Sequence, residues 1–476
     1  MIGARPEEPP MSQTVTLTPT AHALAAHLHA ELGGRWRALL APTDRPNYEL
    51  HALQPFRAAP VPDDLRGRRV ELIVEASDTL ALRHAVASDA DAVVIDFDDT
   101  FSPTRANVQA AYDALAWVAA SEKALLVRPR PLYATELHVD MNGPSIAALC
   151  DLAAVLSARP TRPPHVYVPK LETVAEAEFW QDALAAAETH LGLPANTVRV
   201  CLQIETFPGL LNAGALLHAL HGRAYGLNAG RWDYVFSVVK QLGRSRSGPV
   251  PPRSQLTMDV PAMRAYAEHL VAVCRQHGAE AIGGTASLAP DPADPQPALD
   301  AVRADKQREA AQGFTAAWAG LPDLLDAVRG GLTARDPVRP AGHPVPTDLP
   351  AVLTDLPTPD VLPVAELRDT VGLALDVFAA WLDGRGVVVR AGRVEDTATA
   401  ELARALVWQW VKVGARLTDG STLSPARYLD ERRALMPDTA GAAQLLDHLV
   451  LSVPCPAYFP QEAQRLFPDP SQGVTT

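Results

Sequence analysis

The chain has 476 residues, 47% of them hydrophobic, and its 55 acidic against 42 basic side chains give a formal net charge of −13. That length suits a large barrel with satellites and leaves enough apolar material for a sizeable core, while the acidic balance argues against a groove that works by neutralising nucleic-acid phosphates. Cys150, Cys201, Cys274 and Cys455 form no CxxC pair, which argues against a zinc site or a disulfide framework and fits a reducing cytoplasm. No apolar run reaches the roughly 18 residues of a membrane span, and the start has no signal-peptide pattern.

Residues 1–10 are polar and Pro-rich and read as a disordered lead-in, with Met11 a candidate start. From Thr18 to about Leu40, Ala, Leu and His recur at helical spacing behind Thr18 or Thr20 as a cap, and a Pro- and Asp-rich stretch follows. Residues 1–66 therefore form an N-terminal lead and helical segment. Short apolar runs then alternate with longer helical patterns, at 70–74, 92–96, 124–128, 166–170, 198–205, 224–228, 281–284 and 314–318. Eight strands continuous in apolar character, because each is buried on both faces, predict an α/β fold, a (β/α)8 TIM barrel over 67–335.

Charged residues punctuate these runs. Asp96, Arg128, Lys170 and Glu205 each end one, and Asp233 follows the sixth. Barrel active sites form at the C-terminal ends of the strands, so these five groups should converge on one mouth. Residues 336–364 carry Pro337, Pro340, Pro344, Pro346, Pro350, Pro357, Pro359 and Pro363, a density that reads as an extended linker, neither helix nor central strand. Beyond it, 367–382, 398–414, 424–435 and 440–450 show helical periodicity and predict a separate all-α domain over 365–476. The last residues, Gly473-Val474-Thr475-Thr476, carry no peroxisomal tripeptide.

The block Gly226-Leu227-Asn228-Ala229-Gly230-Arg231-Trp232-Asp233-Tyr234-Val235-Phe236-Ser237 resembles the signature segment of malate synthases. So, in order along the chain, do Asp96-Phe97-Asp98-Asp99, Arg128-Pro129-Arg130, Pro169-Lys170-Leu171-Glu172, Ile204-Glu205-Thr206, Val302-Arg303-Ala304-Asp305-Lys306, Glu395-Asp396-Thr397 and Trp408-Gln409-Trp410. The resemblance spans roughly 65–460, in the shorter form of the family. It implies a Mg²⁺-dependent acyltransferase of the glyoxylate cycle, with Mn²⁺ a possible substitute, that condenses acetyl-CoA with glyoxylate and hydrolyses the product to malate and CoA. Small-molecule partners follow, with no nucleic acid and no membrane.

The resemblance also assigns roles, each with a plainer alternative. Glu205 and Asp233 would hold the metal, as one or two carboxylates usually hold Mg²⁺; otherwise each caps a helix or pairs with Arg231. Arg128 would stabilise the enolate and alkoxide oxygens, although Arg130 is equally placed in sequence and either arginine could serve as an ion-pair partner of Asp96 or Asp98. Asp396 would take the methyl proton, and it could also cap the helix that starts near Thr397; both roles can hold at once. Asp96, Asp98 and Asp99 would support the metal's waters and the arginine, or form a second metal site, or only solvate a loop. Trp318 would wall the acetyl pocket, though a tryptophan ending an apolar run is commonly core, and Gly283 and Gly284 would allow close backbone approach at the mouth.

Three segments depart from the family pattern. Pro131-Leu132-Tyr133 replaces Gly-Trp-His, Phe314-Thr315-Ala316-Ala317 replaces His-Asp-Gly-Thr before Trp318, and Asp98 replaces a glutamate. Two of these make the mouth less polar and bear on which oxo acid or acyl group is recognised. Two alternatives compete with a synthase: a related lyase or condensing enzyme with another substrate, and a non-catalytic metabolite-binding paralogue. The C-terminal segment argues against the first, because the related lyases are shorter chains. Retention of Glu205, Asp233 and Asp396 argues against the second.

Overall fold

A computed structural model describes residues 14–41, 55–118, 120–141, 145–159, 161–243, 245–333 and 348–467. Eight parallel strands close into a barrel: β1 Val70–Glu75, β2 Ala92–Asp96, β3 Ala124–Arg128, β4 His165–Val168, β5 Val200–Ile204, β6 Ala224–Ala229, β7 Glu280–Ala286 and β8 Ala316–Ala319. Each strand pairs with its neighbour in sequence, and β1 pairs with β8 to complete the ring. All eight apolar runs are strands, with ends that differ by one or two residues at most positions.

Alternation along the strands sorts side chains between two cores. Ile73, Ala92, Val94, Ala124, Leu126, Tyr167, Cys201, Ile282, Ala316 and Trp318 fill the barrel interior. Val93, Ile95, Leu125 and Val127 face outward into the helical layer. The inward parity carries on to Glu75, Asp96, Arg128 and Gln203, and the register sets Glu75 beside Asp96 and Asp96 beside Arg128. One row of polar groups thus forms at the C-terminal rim.

The helix Pro19–Leu39 begins behind Thr18, whose hydroxyl accepts the Ala21 N–H at 3.2 Å. Residues 1–10, Met11 and 473–476 lie outside the described residues, as do Pro337, Pro340, Pro344 and Pro346. The described part of the Pro-rich stretch corrects the expectation of an extended linker. Leu349–Leu353 is a short helix capped by Asp348, with a proline at a first-turn position, where a missing N–H removes no helical bond. It is packed, too: Leu353, Leu356 and Leu362 are buried, and the Leu353 carbonyl accepts the Tyr234 hydroxyl at 3.2 Å.

The C-terminal region contains the helices Val364–Leu382, Thr397–Val413, Pro425–Leu435, Gly441–Leu451 and Phe459–Leu466. It is not entirely helical, because Val388–Arg390 and Arg393–Glu395 pair as an antiparallel ladder. Its helices pack on one another, and Thr397–Val413 packs also on the barrel helix Arg231–Leu242. Leu367, Val371, Trp381 and Leu406 belong to the same buried cluster as the barrel's outer face, and the Trp410 indole donates to the Val250 carbonyl at 2.6 Å. Among the described residues no helix is long and apolar enough to cross a membrane.

Candidate active site

Five charged side chains meet at the C-terminal rim. Arg128, ending β3, grips Asp96 with two parallel bonds of 2.6 Å, and its third nitrogen reaches Asp99 Oδ2 at 2.6 Å. Burial opposes the guanidinium charge, but Asp96 and Asp99 outweigh it and hold the group protonated. Two residues beyond β4, Lys170 adopts a left-handed backbone with φ of 55°, a conformation uncommon for a side chain of this size. Its Nζ lies 2.7 Å from Asp98 Oδ2, 2.7 Å from Asp99 Oδ1, 3.3 Å from Asp233 Oδ2 and 3.7 Å from Glu205 Oε1.

Local sequence places the two acids proposed for a metal. Glu205 follows β5, and the next residue, Thr206, caps the short helix Phe207–Leu211 by accepting the Gly209 N–H at 2.9 Å. The same hydroxyl donates to the Leu171 carbonyl at 2.7 Å, which ties this turn to the Lys170 segment. Asp233 stands in the first turn of Arg231–Leu242, where the helix dipole favours a negative charge. Gly230 precedes that helix, and a Cβ there would collide with Glu205 Oε2; only glycine lets the two segments approach.

Asp99, Glu205 and Asp233 present oxygens that all lie within 4.8 Å of one another. Glu205 Oε1 accepts the Lys170 N–H at 2.9 Å, while Oε2 is buried without a hydrogen-bond partner among the described residues. Burial, with Asp99 close by, pushes Glu205 up to about 8 against the pull of Lys170. Asp233 is raised by burial and by Asp99, and burial with Asp99 pushes Asp98 to about 6. Such crowding of carboxylates is costly without further positive charge.

Asp396 arrives from the C-terminal region. It caps Thr397–Val413: its Oδ1 accepts the Thr399 N–H at 3.1 Å, and the Thr399 hydroxyl accepts the Asp396 N–H at 2.8 Å. The Thr397 N–H donates to the Asp99 carbonyl at 3.0 Å, which pins this helix start to the acidic loop. Burial and then Asp99 raise the Asp396 carboxyl to about 7. A cavity of about 430 Å³ runs between these groups, lined by Arg128, Glu205, Asp233, Asp396 and, from the β1 and β8 ends, Glu75 and Leu321. That volume lies within the range of small-molecule sites.

The other sequence candidates fall on either side of this wall. Asp99 lines the cavity, whereas Asp96 and Asp98 stand behind it, holding Arg128 and Lys170 respectively. Arg130 points elsewhere, bound to Asp151 at 2.6 Å and Glu136 at 2.7 Å. Gly284 lines the cavity; Gly283 leaves room for Glu309, whose carboxylate accepts the Gly284 N–H at 3.1 Å. Trp318 is not brought to the cavity. Its inward parity on β8 buries it below Arg128, where its indole donates to Glu71 Oε2 at 3.0 Å.

Three residues of the site carried no assigned role in the sequence reading. Lys170 was placed at the mouth by its strand-end position, but its central place among four acids depends on the turn after β4. Glu75 ends β1 one residue past the predicted run, and burial raises its carboxyl to about 7. Tyr458, whose hydroxyl lies 3.3 Å from Asp98 Oδ1, comes from 360 residues away, and no local pattern announces it.

Comparison with known proteins places this geometry among relatives. The family model "Malate synthase, TIM barrel domain" matches residues 124–333, and "Malate synthase, C-terminal" matches 363–439. A malate synthase of Streptomyces clavuligerus is 33% identical over 471 residues, covering 87% of this chain and 86% of the relative. One from Myxococcus xanthus is 31% identical, covering 94% of each. Among solved structures, a Haloferax volcanii malate synthase in a pyruvate/acetyl-CoA ternary complex is similar with a TM-score of 0.53 at 15% identity, over 80% of this chain and 97% of that one. The latter is a likeness of fold.

Proposed function

The chain belongs to the malate synthase family, and from that membership we propose that Arg128, Asp396 and the carboxylates Asp99, Glu205 and Asp233 carry out the condensation of acetyl-CoA with glyoxylate and the hydrolysis that yields malate and CoA. The observation that carries this assignment is the convergence of these five residues, from barrel and C-terminal region, on one cavity.

The donor set fits a hard divalent cation. Among the described residues only oxygens are offered, the three carboxylates are within reach of one ion, and Glu205 Oε2 is buried with no other partner; Mg²⁺ is the natural occupant, with Mn²⁺ a substitute. Glu205 and Asp233 would hold it, and the geometry adds Asp99 as a third candidate. When bound, such an ion supplies Lewis-acid polarisation of the oxo acid's aldehyde oxygen.

The remaining work falls to the chain's own side chains. Asp396 is fixed through Oδ1 by its capping bond, and its carboxyl, raised to about 7, is matched to removing a proton from the acetyl methyl near neutral pH. Arg128 presents a guanidinium already locked by Asp96 and Asp99, so it meets the developing enolate and alkoxide charge without reorganising. Val387, Val389 and Val394 of the C-terminal region line the same cavity beside the base. The four cysteines, all buried and free, support a reducing, cytoplasmic setting.

Thiol release from acetyl-CoA, followed with Mg²⁺ and a panel of 2-oxo acids, tests the assignment. Glyoxylate should give the fastest release and malate as product. Release with another oxo acid in preference to glyoxylate, or activity that survives exhaustive chelation, overturns the substrate or the metal respectively.

A further inference from the structure

Asp98 is held from two sides. Its Oδ2 accepts from Lys170 Nζ at 2.7 Å, with Arg128 Nη1 at 3.9 Å. Its Oδ1 faces the Tyr458 hydroxyl at 3.3 Å, a bond on the long side for a hydroxyl donor. Both residues are buried, Asp98 at 2% and Tyr458 at 5% exposure, so little water competes for this contact.

The segment that delivers Tyr458 is anchored to the helix that Asp396 caps. Glu401 Oε1, on that helix, accepts the Phe459 N–H at 2.5 Å. Arg404, one turn on, donates to the Pro456 carbonyl at 2.8 Å and to Cys455 Sγ at 3.0 Å. Phe459 packs on Phe378 and Trp381, the Gln461 amide donates to the Tyr133 carbonyl, and the Tyr133 ring meets the Tyr458 ring edge-on at 4.9 Å. Tyr133 is one of the positions that depart from the family pattern, and Asp98 is another; Tyr458 touches both.

We propose that Tyr458 is a positioning residue for the reaction: its hydroxyl fixes Asp98, and through Asp98 the Lys170 ammonium, so that Asp99, Glu205 and Asp233 keep the spacing one divalent cation requires. This rests on the metal-dependent reading above. Lys170 bridges Asp98 to all three cavity carboxylates, so an Asp98 released at Oδ1 transmits its movement to each of them.

The test is a double-mutant cycle of Tyr458→Phe and Asp98→Asn, read by calorimetric titration of Mg²⁺ into substrate-free protein, together with kcat, KM for acetyl-CoA and the thermal midpoint. Tyr458→Phe keeps the ring against Tyr133 and removes the donor. It should weaken Mg²⁺ binding and lower kcat by roughly threefold to tenfold, the worth of a typical hydrogen bond, with KM for acetyl-CoA and thermal midpoint unchanged. In the Asp98→Asn background the same change should weaken Mg²⁺ binding by less than about twofold, because the two positions act as one unit. Unchanged Mg²⁺ binding in Tyr458→Phe, or effects that multiply across the cycle, overturns the inference. Phe459→Leu loosens the segment but keeps the hydroxyl; it should lower the thermal midpoint and spare Mg²⁺ binding, and an equal loss of Mg²⁺ binding would reduce Tyr458 to a packing role. Failure of the wild type to bind Mg²⁺ would instead sink the metal reading itself.

Discussion

Two glutamates, Glu71 and Glu205, lie fully buried in the same barrel and meet opposite fates. Glu71, low on β1, has both oxygens filled: Oε1 takes the Arg68 Nε, and Oε2 takes the Tyr167 hydroxyl at 2.6 Å and the Trp318 indole at 3.0 Å. Glu205, at the rim, receives one backbone N–H on Oε1 and, among the described residues, nothing on Oε2. Among the described residues, Glu205 and the four acids near it, Asp96, Asp98, Asp99 and Asp233, share Arg128 and Lys170, five carboxylates against two cations. Both oxygens of Glu71 are satisfied and serve the fold, whereas the rim remains short of positive charge, which the proposed cation would supply.

Stability measurements should separate the two most sharply. Glu71→Ala leaves Arg68 buried beside Glu280 alone, and truncating one partner of a buried pair costs about 3–5 kcal/mol; denaturant unfolding should show a loss of that order, or no folded protein. Glu205→Gln keeps the shape and replaces a carboxyl that burial holds protonated near neutral pH, so in chelator its unfolding free energy should stay within about 1 kcal/mol of wild type. Equal losses at the two sites would erase the distinction between a structural and a functional network.

Asp396 tests the functional side of the contrast in a single residue that is both cap and candidate base. Asparagine caps a helix as well as aspartate does, so the Asp396→Asn midpoint should hold. Turnover should fall by about a hundredfold or more, the lower range of what a general base contributes, while Mg²⁺ and glyoxylate binding persist. Near-normal turnover would leave Asp396 as a cap only.

The legible parts of this molecule were those fixed by local pattern. Strands buried on both faces read as continuous apolar runs, and polar residues that end them, such as Arg128 and Glu205, stand out because the barrel interior tolerates few charges. Where long-range packing decides, the sequence says less. Periodicity shows that Leu367, Val371 and Leu406 lie on apolar helix faces but not that they join a buried cluster continuous with the barrel's outer face. Proline content likewise hid the helix Leu349–Leu353, since a first-turn proline is compatible with it. Trp318 could be assigned to the interior by its parity with Ala316, but the Glu71 oxygen that holds it comes from across the sheet closure.

The smallest expected effect is a slope with pH. In the folded protein Glu205 is raised to about 8 and Asp396 to about 7, from ordinary values of 4.5 and 3.8. Between those limits the folded state holds protons that the unfolded chain has already released, so unfolding gains from rising pH and stability falls with it. In chelator the thermal midpoint should therefore drift down by a few degrees between about pH 5 and pH 8. Excess Mg²⁺ binds the ionised carboxylates in place of protons, and its stabilisation grows as they deprotonate, so it should flatten or reverse the drift. Glu205→Gln should lessen the slope in chelator, whereas Gly-to-Ala or charge changes far from the rim should not. A midpoint that rises with pH in chelator, unaffected by Glu205→Gln, would mean that the rim carboxylates are already ionised and balanced, and that Glu205 is as closed a site as Glu71.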